Sequence, residues 1–146
     1  AAALDDALAA SGLVLGVDVH ALGYVSDADA DALIAGASLL VAPSLYEAGS
    51  GPGLDAWALG TPVALSAIPP FLEHLGSLGV EAATFDPLDP QDMARAILGA
   101  LAEPEATAAA AARSQEAIRR YTGAQLAEGY RAAFDAAIEA RRRRGR

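Results

Sequence analysis

The sequence predicts an α/β protein built on an open parallel sheet with flanking helices. Two observations carry this. Short apolar runs alternate with amphipathic stretches, the pattern of β-α-β units. The run Ser38 to Pro43 also lacks strict apolar–polar alternation, as a strand covered on both faces does. A third observation bounds the size: 146 residues, 53% of them hydrophobic, make one ordinary domain.

The elements follow in order. Residues 2–11 read as a helix, with Leu4 and Leu8 apolar, Asp5 and Asp6 near its start and Gly12 at its end. After an apolar stretch broken by Gly16, residues His20 to Val25 read as a first buried strand. Ser26 is an N-cap for a helix running to about Ala35, with acids in its first turn and Gly36 closing it. Ser38 to Pro43 form a second strand. A glycine-rich loop then leads to Pro52, suited to a first helical turn, and Gly60 stands just past the last turn of that short helix. Residues 62–66 are a third strand, and Ile68 to His74 turn into another short helix. Val80 to Phe85 are a fourth strand, followed by a turn over residues 86–90. An amphipathic helix over about 91–102, a break at Glu103-Pro104 and an Ala-rich helical region interrupted near Gly123 complete the chain. We expect a single, partial domain over 1–146, with 91–146 mainly helical.

Composition excludes several classes. Without cysteine there is neither a disulfide scaffold nor a Cys-ligated metal site. No 18-residue apolar run lacks charges or turn residues, so no transmembrane span is expected. The chain shows no basic leader and does not begin with Met, which suggests a processed chain or a piece of a longer one. Ten arginines and no lysine stand against nineteen acids, and the first arginine is Arg95. The preceding 94 residues have no permanent side-chain cation with which to grip a nucleic-acid backbone, so no nucleic-acid partner is expected. The terminal Arg141 to Arg144 and Arg146 read as a solvated helix end that complements the helix dipole.

The segment from Ser44 to Val63 holds the most chemistry. In open parallel sheets, ligands bind beyond the carboxyl ends of the strands. There the sequence places Glu47, then Gly49-Ser50-Gly51 with bare main chain, then a helix start at Pro52. Backbone N–H groups and a helix N-terminus make an anion site without a side-chain cation. Asp55 follows Glu47 by eight residues, so the two carboxylates can border one ligand. The same spacing also fits a plain glycine-rich connection with a solvated Glu and a helix-stabilising Asp. The dinucleotide fingerprint is not met, because Leu54 stands where its third glycine belongs. Glu73 beside His74 offers an acid/base pair, although a helix-start carboxylate with an exposed neighbour explains it equally. His20 and Trp57 read as structural, Tyr46 as packing, and Tyr121 and Tyr130 as interhelical packing.

The block Pro43 to Val63 resembles the hallmark of the retaining glycosyltransferases of the GT-B fold called group 1, or family 4: roughly P-S-x-x-E-G-F-G-L-P-x-L-E-A-M-A-x-G-x-P-V. Flanking stretches agree: Leu22 to Asp27 resembles L-G-x-V-x-D, Ser66 to Glu73 resembles S-x-x-P-x-x-x-E, and Phe85 to Pro90 resembles the D-P-x-D-P element. The resemblance implies a Rossmann-like sheet, corresponding to the later part of the GT-B C-terminal domain. It implies transfer of a hexosyl group from an NDP-sugar, of UDP or GDP type, with retention and with neither metal nor other cofactor at the site. Glu47 would face the donor sugar as the catalytic residue. Gly49, Ser50 and Gly51 would hold sugar and phosphate, Asp55 the ribose hydroxyls, and Tyr24, at a strand end, would lie beside the base. Asp55 is one methylene shorter than the family's Glu, and Gly49 stands where the hallmark has Phe.

The resemblance further implies that the acceptor (a glycan, lipid or small molecule) is bound by an N-terminal domain or partner subunit outside this sequence. A basic diphosphate clamp would lie on an earlier segment. A cytoplasmic location is expected, with peripheral contact at the inner membrane face. Two other readings stand beside the transferase: an inactive transferase-like scaffold that self-associates through an open sheet edge, and an NAD domain, which the fingerprint mismatch disfavours.

Overall fold

A computed structural model describes residues 2–49 and 51–144. These form two compact units, one ending at Ala30 and one beginning at Asp31.

In the first unit, α1 (Ala2–Ser11) ends at Gly12, whose φ of 74° allows the left-handed turn that stops a helix. Gly12 N–H donates to the Leu8 carbonyl at 3.1 Å. A tight turn follows, in which Val14 N–H donates to Asp18 Oδ2 at 2.9 Å and Leu15 and Val19 form an isolated bridge. The strand expected over 20–25 does not form. Gly23 takes a φ of 66°, which breaks the extended run, and Leu22 and Tyr24 are exposed. An apolar run becomes a strand only where a neighbour accepts its main-chain hydrogen bonds.

Ser26 caps α2 (Asp27–Gly36) as its position predicts: its Oγ accepts from Asp29 N–H at 3.2 Å and donates to Asp29 Oδ2 at 2.7 Å.

The second unit carries a parallel sheet of three strands rather than four, β1 (Leu40–Ala42), β2 (Val63–Ser66) and β3 (Ala83–Phe85), in that spatial order. Leu40 pairs with Val63, and Ala64 with Ala83. Three helices follow the strands: α3 (Gly51–Leu59), α4 (Pro69–Leu78) and α5 (Pro90–Ala102). Two more close the chain, α6 (Pro104–Arg120) and α7 (Gly123–Arg144).

On one face of the sheet, Val63 and Leu65 are buried with Trp57, Phe71 and Val80, and Ile34, Leu40 and Ala42 pack against them. On the other face Ala64, Phe85 and Ala96 form a smaller core with Met93 and Ile97 of α5. β2, the middle strand, is buried throughout, as a strand covered on both faces of a parallel sheet is. β1 departs from the expectation of a strand covered on both sides. Val41 pairs with Ala64 on the α5 face but remains 36% exposed, because α5 packs over β2 and β3.

Buried polar groups pin this layer. Trp57 Nε1–H donates to the Glu81 carbonyl at 3.0 Å, and Thr61 Oγ1 donates to the Ile34 carbonyl at 2.8 Å. Ser114 of α6, fully buried, accepts from Glu81 N–H at 2.8 Å and donates to the Ala110 carbonyl at 2.9 Å. Gly60, with φ 80°, ends α3 as expected, and Gln115 Nε2 donates to the Ala58 carbonyl at 3.0 Å there. Along α7, Leu126, Tyr130, Phe134 and Ile138 form an exposed apolar stripe at four-residue intervals. Tyr130 and Phe134 stack with ring centroids 6.4 Å apart on one helix, not between helices as expected. Among the described residues no helix is long and apolar enough to cross a membrane.

Candidate functional site

In a parallel sheet every strand delivers its carboxyl end to the same edge. Here that edge collects the loop from Pro43 into α3, the Ala67-Ile68 turn into α4, and the Asp86 to Asp89 turn into α5. Ser66 Oγ donates to the Ala42 carbonyl at 3.3 Å and ties the last residues of β2 and β1 together.

The first loop holds the predicted chemistry. Glu47 is half-buried, and Ser44 Oγ donates to its Oε1 at 2.9 Å. Gly49 is half-buried, and Gly51 opens α3 and is exposed. Asp55 lies in the second turn of α3 and is exposed. Ser50, expected to help hold the sugar and phosphate, lies outside the described residues. Tyr24 belongs to the first unit. It stands in irregular chain with its ring 96% exposed, so the strand end expected to position it is absent.

Gly49 and Gly51 are unusual in what does not explain them. Neither takes a positive φ, unlike Gly60 or Gly79. A Cβ on Gly51 would meet nothing within 4 Å, and one on Gly49 would meet only His74 Cε1, at 3.9 Å. Neither dihedral strain nor crowding by the described residues therefore requires glycine at these positions. The α3 N-terminus leaves its first N–H groups without intrahelical partners, facing this loop.

Glu73 is exposed on α4, whereas His74 beside it is half-buried against the loop. The contact with Gly49 is one that sequence reading missed: the two positions are 25 apart, and only the shared sheet edge brings them together.

The D-P-x-D-P element is a turn and cap. Asp89 accepts from Gln91 and Asp92 N–H at the start of α5, and Asp86 Oδ1 accepts from Leu88 N–H at 2.9 Å. Asp92 Oδ2 accepts from Asp86 N–H at 2.8 Å; that bond, then the paired Arg95, lowers the Asp92 pKa. At the opposite end of the strands lies a cavity of about 370 Å³, lined by residues including Pro62, Ala83, Ala100 and Thr107. Its charged members, Glu81 and Arg113, are committed to each other at 2.6 and 2.9 Å. This hydrogen-bonded pairing lowers the Glu81 pKa and raises that of Arg113. We place the candidate site at the glycine loop rather than in this cavity, because the cavity's charged groups are committed to each other. Among the described residues no cluster of His, Asp or Glu is arranged to hold a metal ion.

An α/β domain with this loop at the carboxyl edge of its sheet is the architecture of a GT-B glycosyltransferase domain. The sequence model of the family "Glycosyl transferases group 1" matches residues 2–103, and the chain belongs to that family. It is 37% identical over 83 residues to the MMP alpha-(1->4)-mannosyltransferase of Mycolicibacterium hassiacum, covering 57% of this chain and 20% of that protein. It superposes on the sucrose-phosphate synthase of Thermosynechococcus elongatus with a TM-score of 0.72 at 23% identity, over 91% of this chain and 34% of that one. The chain thus spans about a fifth and a third of the length of these two proteins.

Proposed function

We propose that this chain is the donor-binding part of a retaining glycosyltransferase that moves a hexosyl group from an NDP-sugar to an acceptor. The observation that carries the reading is the bare loop before α3. Glycines that neither φ nor packing demands leave main-chain N–H groups open to close approach by a ligand. Family membership supports an NDP-sugar as that ligand, and the mannosyltransferase among the relatives supports a hexose.

In this reading the N–H groups of Gly49, Ser50 and Gly51 and the α3 N-terminus receive the sugar and diphosphate. Their dipoles stabilise the negative charge that grows as the diphosphate departs. Glu47, steadied by Ser44, faces the sugar, and Asp55 accepts from the ribose hydroxyls. No metal takes part. Acceptor binding and a basic clamp belong to chain outside this sequence. At an effective dielectric near 20 and about 8 Å, each carboxylate repels each phosphate charge by about 2 kcal/mol. A helix N-terminus returns about 0.3–2 kcal/mol. The 146-residue chain therefore binds the donor weakly and transfers little or nothing.

Calorimetric titration with UDP, GDP and their hexose conjugates tests the reading. Millimolar binding of an NDP-hexose that both Glu47→Ala and Asp55→Ala weaken supports it. A folded chain that binds none of these ligands favours the scaffold reading instead.

A further inference from the structure

The loop that receives the diphosphate has no lysine or arginine in its own half of the sequence, because Arg95 is the first permanent cation. Before that residue, only His20 and His74 have side chains able to carry positive charge. His74 stands against the loop. Its Cε1 is 3.9 Å from the point where a Cβ on Gly49 would be. Cε1 is bonded to both ring nitrogens, so each ring nitrogen lies one covalent bond from the atom nearest that point. Glycine at 49 leaves open the space that a side chain there would fill. His74 lies on α4, which the Pro69-Pro70 step starts after the carboxyl end of β2.

We infer that His74 is a ligand-binding residue of the glycine loop, donating a ring N–H to a phosphate oxygen of the nucleoside diphosphate. The inference rests on the proposed donor site and adds to it a side-chain donor from a different strand–helix connection. An imidazole suits this position. It is a donor in both its neutral and protonated forms, and when protonated it offsets part of the repulsion from Glu47 and Asp55.

The test is an NMR titration of the 146-residue chain with UDP and GDP, and with uridine and guanosine as probes lacking phosphate. The chain has two histidines, so His74→Gln assigns the His74 ring Cε1–H signal by its disappearance. We expect that signal to move with the diphosphates and not with the nucleosides. We expect His74→Gln to weaken diphosphate binding about tenfold, the scale of one hydrogen bond to a charged group. His74→Arg, which restores a donor and a charge, should bind within about threefold of the original chain. Diphosphate affinity unchanged in His74→Gln would overturn the role of His74 and leave the donor site standing. Equal losses in both variants would overturn it too, by assigning the effect to packing. No diphosphate binding by the original chain would overturn the donor site itself.

Discussion

Ser44 Oγ donates a hydrogen bond to Glu47 Oε1 at 2.9 Å. They stand three positions apart, and the bond spans the turn by which the chain leaves β1. It fixes one oxygen of the carboxylate assigned to face the sugar. Ser44→Ala should therefore leave the fold intact, because the pair is only part-buried, and change ligand discrimination. Affinity for an NDP-hexose should fall several-fold while affinity for the bare NDP stays within about twofold. Parallel calorimetric titrations of the two ligands check this, and equal losses for both would detach Ser44 from the sugar.

Gly51→Ala separates fold from function. Nothing among the described residues crowds a methyl group there, and Gly51 takes no positive φ. Stability should stay level or rise by up to about 1 kcal/mol, through a less flexible unfolded chain. Diphosphate binding should nevertheless weaken at least fivefold, because the methyl group intrudes where main chain meets ligand. Denaturant melts and a UDP or GDP titration on the same sample read both quantities.

Ser114→Ala addresses what holds the scaffold. The hydroxyl is wholly buried and accepts from the N–H of Glu81, which its loss would leave without that partner. A cost of about 1–3 kcal/mol is expected. Trp57→Phe, which strips the donor from the Glu81 carbonyl, should cost a similar amount. Urea melts that shift by less than about 0.5 kcal/mol for both variants would contradict this packing account.

The Glu81–Arg113 pair gives a pH signature. Its hydrogen bonds lower the Glu81 pKa from the ordinary 4.5. A carboxylate with a depressed folded-state pKa adds stability that is complete well above 4.5 and is lost as pH falls through the folded value. Both side chains are substantially exposed, so the contribution is small. Arg113→Ala should flatten the decline of thermal stability below about pH 4.5, and the two melting curves should converge at the lowest pH. A gap that widens on acidification would contradict the assignment.

Much of this was legible in sequence because local chemistry decided it. Ser26 and Gly60 mark helix ends by capping and by a left-handed turn, which depend on a few neighbouring residues. What sequence could not supply was pairing. His20 to Val25 had the composition of a strand and no partner among the described residues, and Gly23 turned the chain away. The exposure of Val41 depends on where α5 lies, and the approach of His74 to Gly49 on two loops meeting at one edge. The anchoring of Glu81 by Ser114 and Arg113 spans more than thirty positions and leaves no periodic trace.

The most direct measurement of the central claim is an amide-resolved NMR map of the chain as UDP- or GDP-hexose is added. The account predicts that the amides of Gly49, Gly51 and Asp55 move first and furthest. Shifts confined to Ala83, Thr107 and Arg113 around the cavity at the amino ends of the strands, with the glycine loop silent, would contradict it.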